Sequence, residues 1–365
     1  MITIKDIDIF IMTHNRANYL GESIKSLLCN TVKPDIITVL DNESVDNTEK
    51  IVYGFHNNVK YIRTYGFLGN FNKARELTRR PYVMLFHDDD ILHVKYFETV
   101  IRLLNIYKNI SLVTSRYTEF YNENLPVMPY RLRVSHFLFK NIKEWAEHMY
   151  YIEGIAYAPA IYRSKDFLAE KLEYFRFNKF NDWPFMCKMA NHGRVILLDD
   201  PNAFFVRRHS CQDTYSIMNY PSIEQIVNWD AYFFEAMGSP SENTLEYFLF
   251  AAQSRHFSSG KFRNFLPESE KIKDNWNKLQ KLRRDLFGSF IDREELYSRL
   301  KEDMDIFQKE MLSKKIIIEN DFTKTERINE WLKKYTIFYF RKRNRGIYIV
   351  IFEKIKIKIW PCMRL

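Results

Sequence analysis

Three successive carboxylates, Asp88, Asp89 and Asp90, end the segment YVMLFHDDDIL at Tyr82–Leu92. Adjacent carboxylates repel one another, and their charge is costly to hold near a core. A divalent cation bridging to a phosphate would offset that repulsion, because hard cations take oxygen ligands. The alternative is that Asp90 caps a helix beginning near Val94, with Asp88 and Asp89 as solvated turn residues. Two further polar clusters also follow apolar runs: Thr13-His14-Asn15-Arg16 and Asp41-Asn42-Glu43-Ser44.

The elements that must carry these clusters are legible as alternating strands and helices. Residues 7–12, 36–40, 59–63, 82–86 and 110–115 read as short strands. Leu20, Ile24, Leu27 and Leu28 fall at helical spacing, as do Val94, Phe97, Ile101 and Leu104. Ile51, Val52 and Phe55 mark a helix that Ser44 could cap, and a glycine-containing loop, GFLGNFN, leads into another near Lys73–Leu77. The alternation predicts an α/β fold with a doubly wound, mostly parallel sheet. The three polar strand ends then share one edge of the sheet, where open α/β sheets bind ligands. No GxGxxG follows the first strand and no GxxxxGK[ST] occurs, which excludes the usual dinucleotide fold and the P-loop.

In order along roughly the first 115 residues, Thr13-His14-Asn15-Arg16, VLDNES, GFLGNFNKA and FHDDDIL resemble the motifs of a family 2 glycosyltransferase of the GT-A fold, the bacterial polysaccharide-assembly type. The resemblance implies that Asp41 hydrogen-bonds the nucleobase, typically uracil, and that the loop with Thr13, Asn15 and Arg16 cradles base and ribose. Asn72 is a donor-pocket candidate, although Asn70 and Asn72 could serve simply as turn and cap residues. Asp88–Asp90 correspond to the family's DxD, which holds Mn²⁺ or Mg²⁺ against the donor diphosphate. Alignment with the form LDADDIL puts His87 at the first Asp and makes Asp89 the metal ligand; read literally, DxD is Asp88 and Asp90. Asp89 and Asp90 are therefore taken as metal ligands, with Asp88 on the nucleotide.

The second half of the resemblance is thinner. Gly154–Tyr162 is similar to the family's acceptor-side strand and loop. Asn181-Asp182 stands where the family has an acidic pair whose second member is the catalytic base, so Asp182 inherits that role; the simpler reading is a helix N-cap. Asn181 departs from the pattern and removes one charge. After the strands at 195–199 and 203–206, His209 is the candidate for metal or diphosphate contact and Arg208 for phosphate. Ser210–Ser216 would be a flap over the donor. The implied reaction is inverting displacement: a base removes the hydroxyl proton of the acceptor while a metal stabilises the departing nucleoside diphosphate.

Bulk properties frame this reading. The chain has 365 residues, a net charge of +9, 46% hydrophobic and 16% aromatic residues. From Tyr335 to Leu365 eight Lys/Arg face one Glu353, so +7 of that charge is in the tail and the body is near neutral. Nucleic-acid binding across the whole protein is not indicated. Cys29, Cys187, Cys211 and Cys362 have no zinc spacing, which fits a reduced, cytoplasmic setting. Lys5, Asp6 and Asp8 interrupt any signal-peptide core, and no apolar run reaches the length of a membrane span.

Residues 1–220 are read as the catalytic domain, with a nucleotide half to 115 and an acceptor half beyond it. Residues 221–334 are read as a helical accessory region that could pack on it or mediate oligomers. Residues 335–365 form a basic, aromatic tail. Its Ile-Lys alternation has a strand period that a tilted interfacial helix could also hold, and it suits an anionic membrane surface. The expected partners are a nucleotide-sugar donor, by default UDP-linked with a hexosyl or N-acetylhexosaminyl group, and a glycan acceptor, lipid-linked at the inner membrane face. The competing readings are a non-catalytic nucleotide-sugar or glycan-binding module on the same fold, and a peripheral binder driven by the tail.

Overall fold

The computed structural model describes residues 1–55, 58–121, 125–126, 128–129, 132, 135–210, 212, 222–238, 247–248, 251, 294–317, 338–343, 346–351 and 355–361. Strands and helices alternate from the start: β1 (Ile7–Thr13), α1 (Ala17–Leu28), β2 (Ile37–Asn42), α2 (Thr48–Tyr53), β3 (Val59–Thr64), α3 (Gly69–Leu77), β4 (Tyr82–His87), β5 (Ile91–Leu92), α4 (Tyr96–Ile106) and β6 (Ile110–Ser115). β3, β2, β1 and β4 pair in parallel. Val83, Met84, Leu85 and Phe86 are all buried, as a strand covered by helices on both faces requires. On α1, Leu20, Ile24 and Leu27 are fully buried one turn apart. Each such side chain contributes roughly 1.5–3 kcal/mol of apolar burial, which anchors the strand ends described below.

The second half adds β7 (Thr118–Tyr121), β8 (Ser135–Phe139), α5 (Ile142–Ile152), β9 (Ile161–Arg163), α6 (Ser164–Ala169), α7 (Tyr174–Phe177), α8 (Asp182–Lys188), β10 (Arg194–Leu198), β11 (Phe204–Arg208), α9 (Ile223–Ala236), α10 (Glu294–Ser313) and β12 (Ile316–Ile317). Among the described residues the main sheet has nine strands, in the order β12-β8-β10-β6-β9-β4-β1-β2-β3. β9 is inserted antiparallel between β4 and β6, which the alternation of the first half does not suggest. Three residues are too few to show a period. β11 leaves this sheet and pairs with β5 and β7 in a small sheet. That departure brings the chain after residue 204 back beside the acidic turn.

Residues Met1–Ile317 form one compact unit and Ile318–Leu365 a second. In the first, α9 sends Trp229 and Phe233 to within 5.8 and 5.7 Å of the Tyr150 ring on α5. The helix expected near Glu294–Leu312 is α10, whereas that at Lys271–Phe287 and most of the flap at 210–216 lie outside the described residues. In the second unit, β13 (Phe338–Arg343), β14 (Gly346–Ile351) and β15 (Ile355–Pro361) form an antiparallel meander, so the Ile-Lys alternation is that of a strand. Among the described residues no helix is long and apolar enough to cross a membrane.

Candidate active site

Parallel pairing puts the polar strand ends in one row. Thr13 is opposite Asp41, and Met12 is opposite His87. A cleft of about 710 Å³ opens at this edge. Its lining includes Thr13 to Arg16, Asn70, His87 to Asp90, Tyr117, Tyr157, Asp182, Trp183, Arg208 and Gln212. The cleft is where a doubly wound sheet offers backbone ends and helix starts to a ligand.

The acidic turn is almost closed to solvent, with Asp88, Asp89 and Asp90 only 7%, 8% and 2% exposed. The capping alternative for Asp90 fails: α4 starts at Tyr96, with Lys95 at its N-cap. Asp90 Oδ1 instead accepts the Arg207 backbone N–H at 3.0 Å, and its Oδ2 lies 3.3 Å from His87 Nδ1. Asp88 Oδ2 accepts the His14 backbone N–H at 3.3 Å. Asp89 Oδ2 is 2.9 Å from His209 Nε2.

Burial, then Asp89, pushes the Asp88 carboxyl up to about 7, against the pull of Arg16 and His87. Burial likewise raises Asp90. Burial opposes a charged His87, yet its hydrogen bond to Asp90 and the three carboxylates raise the imidazole to about 9. The turn thus collects negative charge that the protein itself only partly offsets.

These residues fit a divalent cation. One ligand atom each from His87, Asp89 and Asp90 lie within 4.8 Å of one another. Metal–ligand bonds of about 2.0–2.2 Å span similar separations, and a mixed imidazole–carboxylate set suits a first-row ion such as Mn²⁺. His209, expected as a ligand, is bonded to Asp89, and the third donor of the group is His87. The Nδ1 of His209 is buried without a hydrogen-bond partner among the described residues. Its ring lies 4.5 Å from that of Tyr19.

The donor-side residues divide. Thr13, Asn15, Arg16 and Asp88 line the cleft. Asn15 has a positive φ of 52°, which Asn tolerates better than most residues. Its backbone N–H donates to Ser44 Oγ at 2.7 Å, and its Oδ1 accepts from Val45 N at 2.8 Å. Ser44 is therefore a brace for that loop; Asn47, not Ser44, precedes α2.

Asp41 is fully buried and does not line the cleft. Its Oδ1 accepts Ser44 N–H at 3.1 Å and its Oδ2 accepts the Tyr61 hydroxyl at 2.6 Å. Burial, followed by the bond to Asp41, pushes the Tyr61 phenol up to about 12. Asn72 is exposed on α3 and outside the cleft, which Asn70 lines instead. Two residues along a helix turn about 200°, so the two cannot share a face. Asn70 Oδ1 accepts from Thr64 Oγ1 at 2.6 Å and its Nδ2 donates to the Thr13 carbonyl at 3.1 Å. Gly69 permits this: a Cβ there would stand 2.8 Å from Asn42 Oδ1.

Asp182 is the first residue of α8, not its N-cap; Asn181 holds that position, and its side chain makes no capping bond. Asp182 Oδ1 accepts the Trp183 N–H at 2.9 Å. Burial pushes its carboxyl up to about 6, opposed by that N–H and by His87. Tyr157 lines the same cleft, its ring 6.0 Å from that of His87. The segment carrying it is pinned to β6, where Ala156 N donates to the Ser115 carbonyl at 3.0 Å and Thr114 Oγ1 to the Ala156 carbonyl at 2.6 Å. Arg208 lines the cleft and is paired with Glu119.

The sequence model described as Glycosyl transferase family 2 matches residues 8–164, which carry the strand ends, the acidic turn and β9. Over that span, under half of the chain, the sequence is similar to a family 2 glycosyltransferase domain. Solved structures agree on the architecture. The S. aureus TarS 1–349 complex with UDP-GlcNAc superposes with a TM-score of 0.56 at 15% identity, over 96% of this chain and 99% of that one. The TarS 1–349 complex with UDP gives 0.54 at 14% identity, over 98% of both chains. In a longer TarS structure, at 0.54 and 14%, 60% of that chain is covered by 96% of this one. At such identities the likeness is one of fold, and the fold of the glycosyltransferase domain is GT-A. No curated protein matches the sequence.

Sequence reasoning missed His87 as a donor atom, Asn70 as the lining amide, and Tyr61 as the partner of Asp41. For His87 the signal was available, since it aligns with an acidic position of the family motif. For Tyr61 there was none, because a tyrosine in a strand is ordinarily a packing residue.

Proposed function

We propose that the protein is an inverting, metal-dependent glycosyltransferase that moves a sugar from a nucleotide-sugar donor to a hydroxyl of a glycan. One observation carries this reading: Asp182, with its carboxyl raised to about 6, faces the same cleft as the acidic turn. An acid held near neutral pH is suited to accept a proton from an attacking hydroxyl, because a general base works best with a pKa near the operating pH. The acidic turn supplies the opposite requirement, a place for a cation and a diphosphate.

A bound Mn²⁺ or Mg²⁺, held by Asp89, Asp90 and His87, would supply Lewis-acid stabilisation of the leaving diphosphate. The chain's own residues do the rest. The Thr13–Arg16 loop and Asn70 bound the nucleoside side of the cleft, and Asp41 acts by fixing the turn that Ser44 joins to Asn15. His209 orients Asp89 through its Nε2. Asp182 removes the acceptor proton as the hydroxyl attacks the anomeric carbon from the face opposite the leaving group. The bond to the donor oxygen breaks as the new glycosidic bond forms, so the configuration inverts and no glycosyl-enzyme is needed. Tyr117, Tyr157 and Trp183 restrict water around the base and offer ring faces to an acceptor sugar.

UDP is the favoured nucleotide, supported by the family motifs and by the TarS complexes with UDP and UDP-GlcNAc. The acceptor is a growing surface glycan, lipid-linked at the inner membrane face. The tail at 335–365, rich in Lys, Arg and aromatics, is its contact with anionic lipid, and residues 221–334 support the catalytic region at 1–220. The test is turnover on a panel of UDP-sugars, scored by released UDP. Wild-type release with one sugar, lost in Asp182→Asn while UDP binding persists, supports the assignment; equal release by the variant removes Asp182 as base.

A further inference from the structure

Behind the acidic turn lies a guanidinium that no motif marks. Arg207, on β11, is fully buried. Its Nε donates to the Asp89 carbonyl oxygen at 2.9 Å, and its backbone N–H donates to Asp90 Oδ1 at 3.0 Å. Its Nη2 pairs with Glu22 Oε2 of α1 at 2.5 Å. Two rings flank the plane, with Cζ 4.8 Å from the centroid of Tyr19 and 4.6 Å from that of Phe120. Also from α1, Ser23 Oγ donates to the Asp90 carbonyl at 2.8 Å. One side chain therefore joins α1, β7 and β11 to the backbone of residue 89, while Ser23 joins α1 to that of residue 90.

A buried charge is expensive unless it is paired and hydrogen-bonded, and a site needing only packing is better served by Leu or Met. Here the charge has a directional use. The planar fork holds two groups at fixed angles, which a lysine ammonium cannot do. Its side chain grips a carbonyl and Glu22 rather than the carboxylate oxygens of Asp89 and Asp90. The peptide between Asp89 and Asp90 is thereby held, and with it the directions of both carboxylates. We infer that Arg207, set in place by Glu22, is a positioning residue for the divalent cation, keeping Asp89 and Asp90 converged on one point with His87. This rests on the metal-site reading above. It gives the helix α1, far from the reacting atoms in sequence, a share in metal affinity.

The experiment is an Mn²⁺ titration followed by electron paramagnetic resonance of the free ion, at saturating UDP, on the full chain. It compares wild type, Arg207→Lys and Glu22→Gln, with UDP affinity without metal and the thermal midpoint measured in parallel. Loss of a residue that supports metal ligands from behind typically weakens metal binding about 10–100-fold, so Arg207→Lys is expected to lose about tenfold or more and Glu22→Gln about threefold. Metal-free UDP affinity is expected to stay within about twofold, a split that general loosening would not give. A folded Arg207→Lys that binds Mn²⁺ within about twofold of wild type overturns the inference. If Arg207→Lys does not fold, Glu22→Gln decides: unchanged Mn²⁺ affinity there overturns it equally. Wild type that takes up no Mn²⁺ at all overturns the metal reading, and the inference with it.

Discussion

Asp182 carries the sharpest claims at the scale of single residues. Its carboxyl is raised to about 6 by burial. As the base it must be ionised, so turnover is expected to rise with pH through an apparent pKa near 6 and then level. Asp182→Asn is expected to lower kcat by roughly 10²–10⁴-fold, the usual worth of a positioned base. A rate–pH profile of both proteins checks this, and a profile flat from pH 5 to 8 contradicts it.

Stability gives an independent reading of the same group. The folded carboxyl binds its proton more tightly than the unfolded one at 3.8. That contribution is present in full below 3.8 and is lost as pH rises through 6. Above this the half-buried carboxylate is a liability, so Asp182→Asn should be more stable than wild type at pH 7.5, by about 1–2 kcal/mol after discounting for its partial exposure. The gain should shrink toward pH 4, as thermal midpoints measured across pH would reveal. Tyr61 is the converse case. Tyr61→Phe would leave Asp41 Oδ2 without its 2.6 Å bond in a fully buried position. A loss of about 1–3 kcal/mol is expected on urea unfolding, the cost of stranding a buried acceptor.

At the scale of elements, β1, β2 and β4 were legible because each is a short, largely apolar run ended by a polar cluster. Thr13, Asp41 and His87 fall in one row as that pattern implies. The failures share a physical cause, which is that spacing along the chain does not say which face of an element meets a cleft. Asn70 and Asn72 differ by two residues at the start of α3, and only the backbone at Gly69 decides between them. Asn70→Ala strands the Thr13 carbonyl and is expected to weaken UDP binding by several-fold at a stability loss of about 1 kcal/mol. Asn72→Ala, on the exposed face, should leave both unchanged within about 0.5 kcal/mol. Calorimetry on the pair distinguishes them. Caps misled in the same way: Ser44 and Asp90 have capping chemistry, but Ser44 is used by the loop after β1 and Asp90 by β11. Arg207 was illegible because its partners, Glu22 and Asp89, are brought to it only by the departure of β11 into the small sheet.

At the scale of the whole molecule, Met1–Ile317 and Ile318–Leu365 are separate compact units. The cleft belongs to the first and most of the excess positive charge to the second. A chain ending at Ile317 is expected to keep UDP and Mn²⁺ binding within a few-fold of the full chain. It should lose salt-sensitive sedimentation with vesicles containing anionic lipid, to which each basic residue near the surface contributes about 1 kcal/mol. Retained vesicle binding would move the membrane contact to the first unit.

The central claim is that the acidic turn is a metal-dependent donor site. Calorimetric titration of UDP, with and without Mn²⁺, on wild type and Asp89→Asn tests it most directly. The expected result is binding that tightens with Mn²⁺ in wild type and loses that gain in the variant. Equal UDP affinity with and without Mn²⁺ in folded wild type would contradict it.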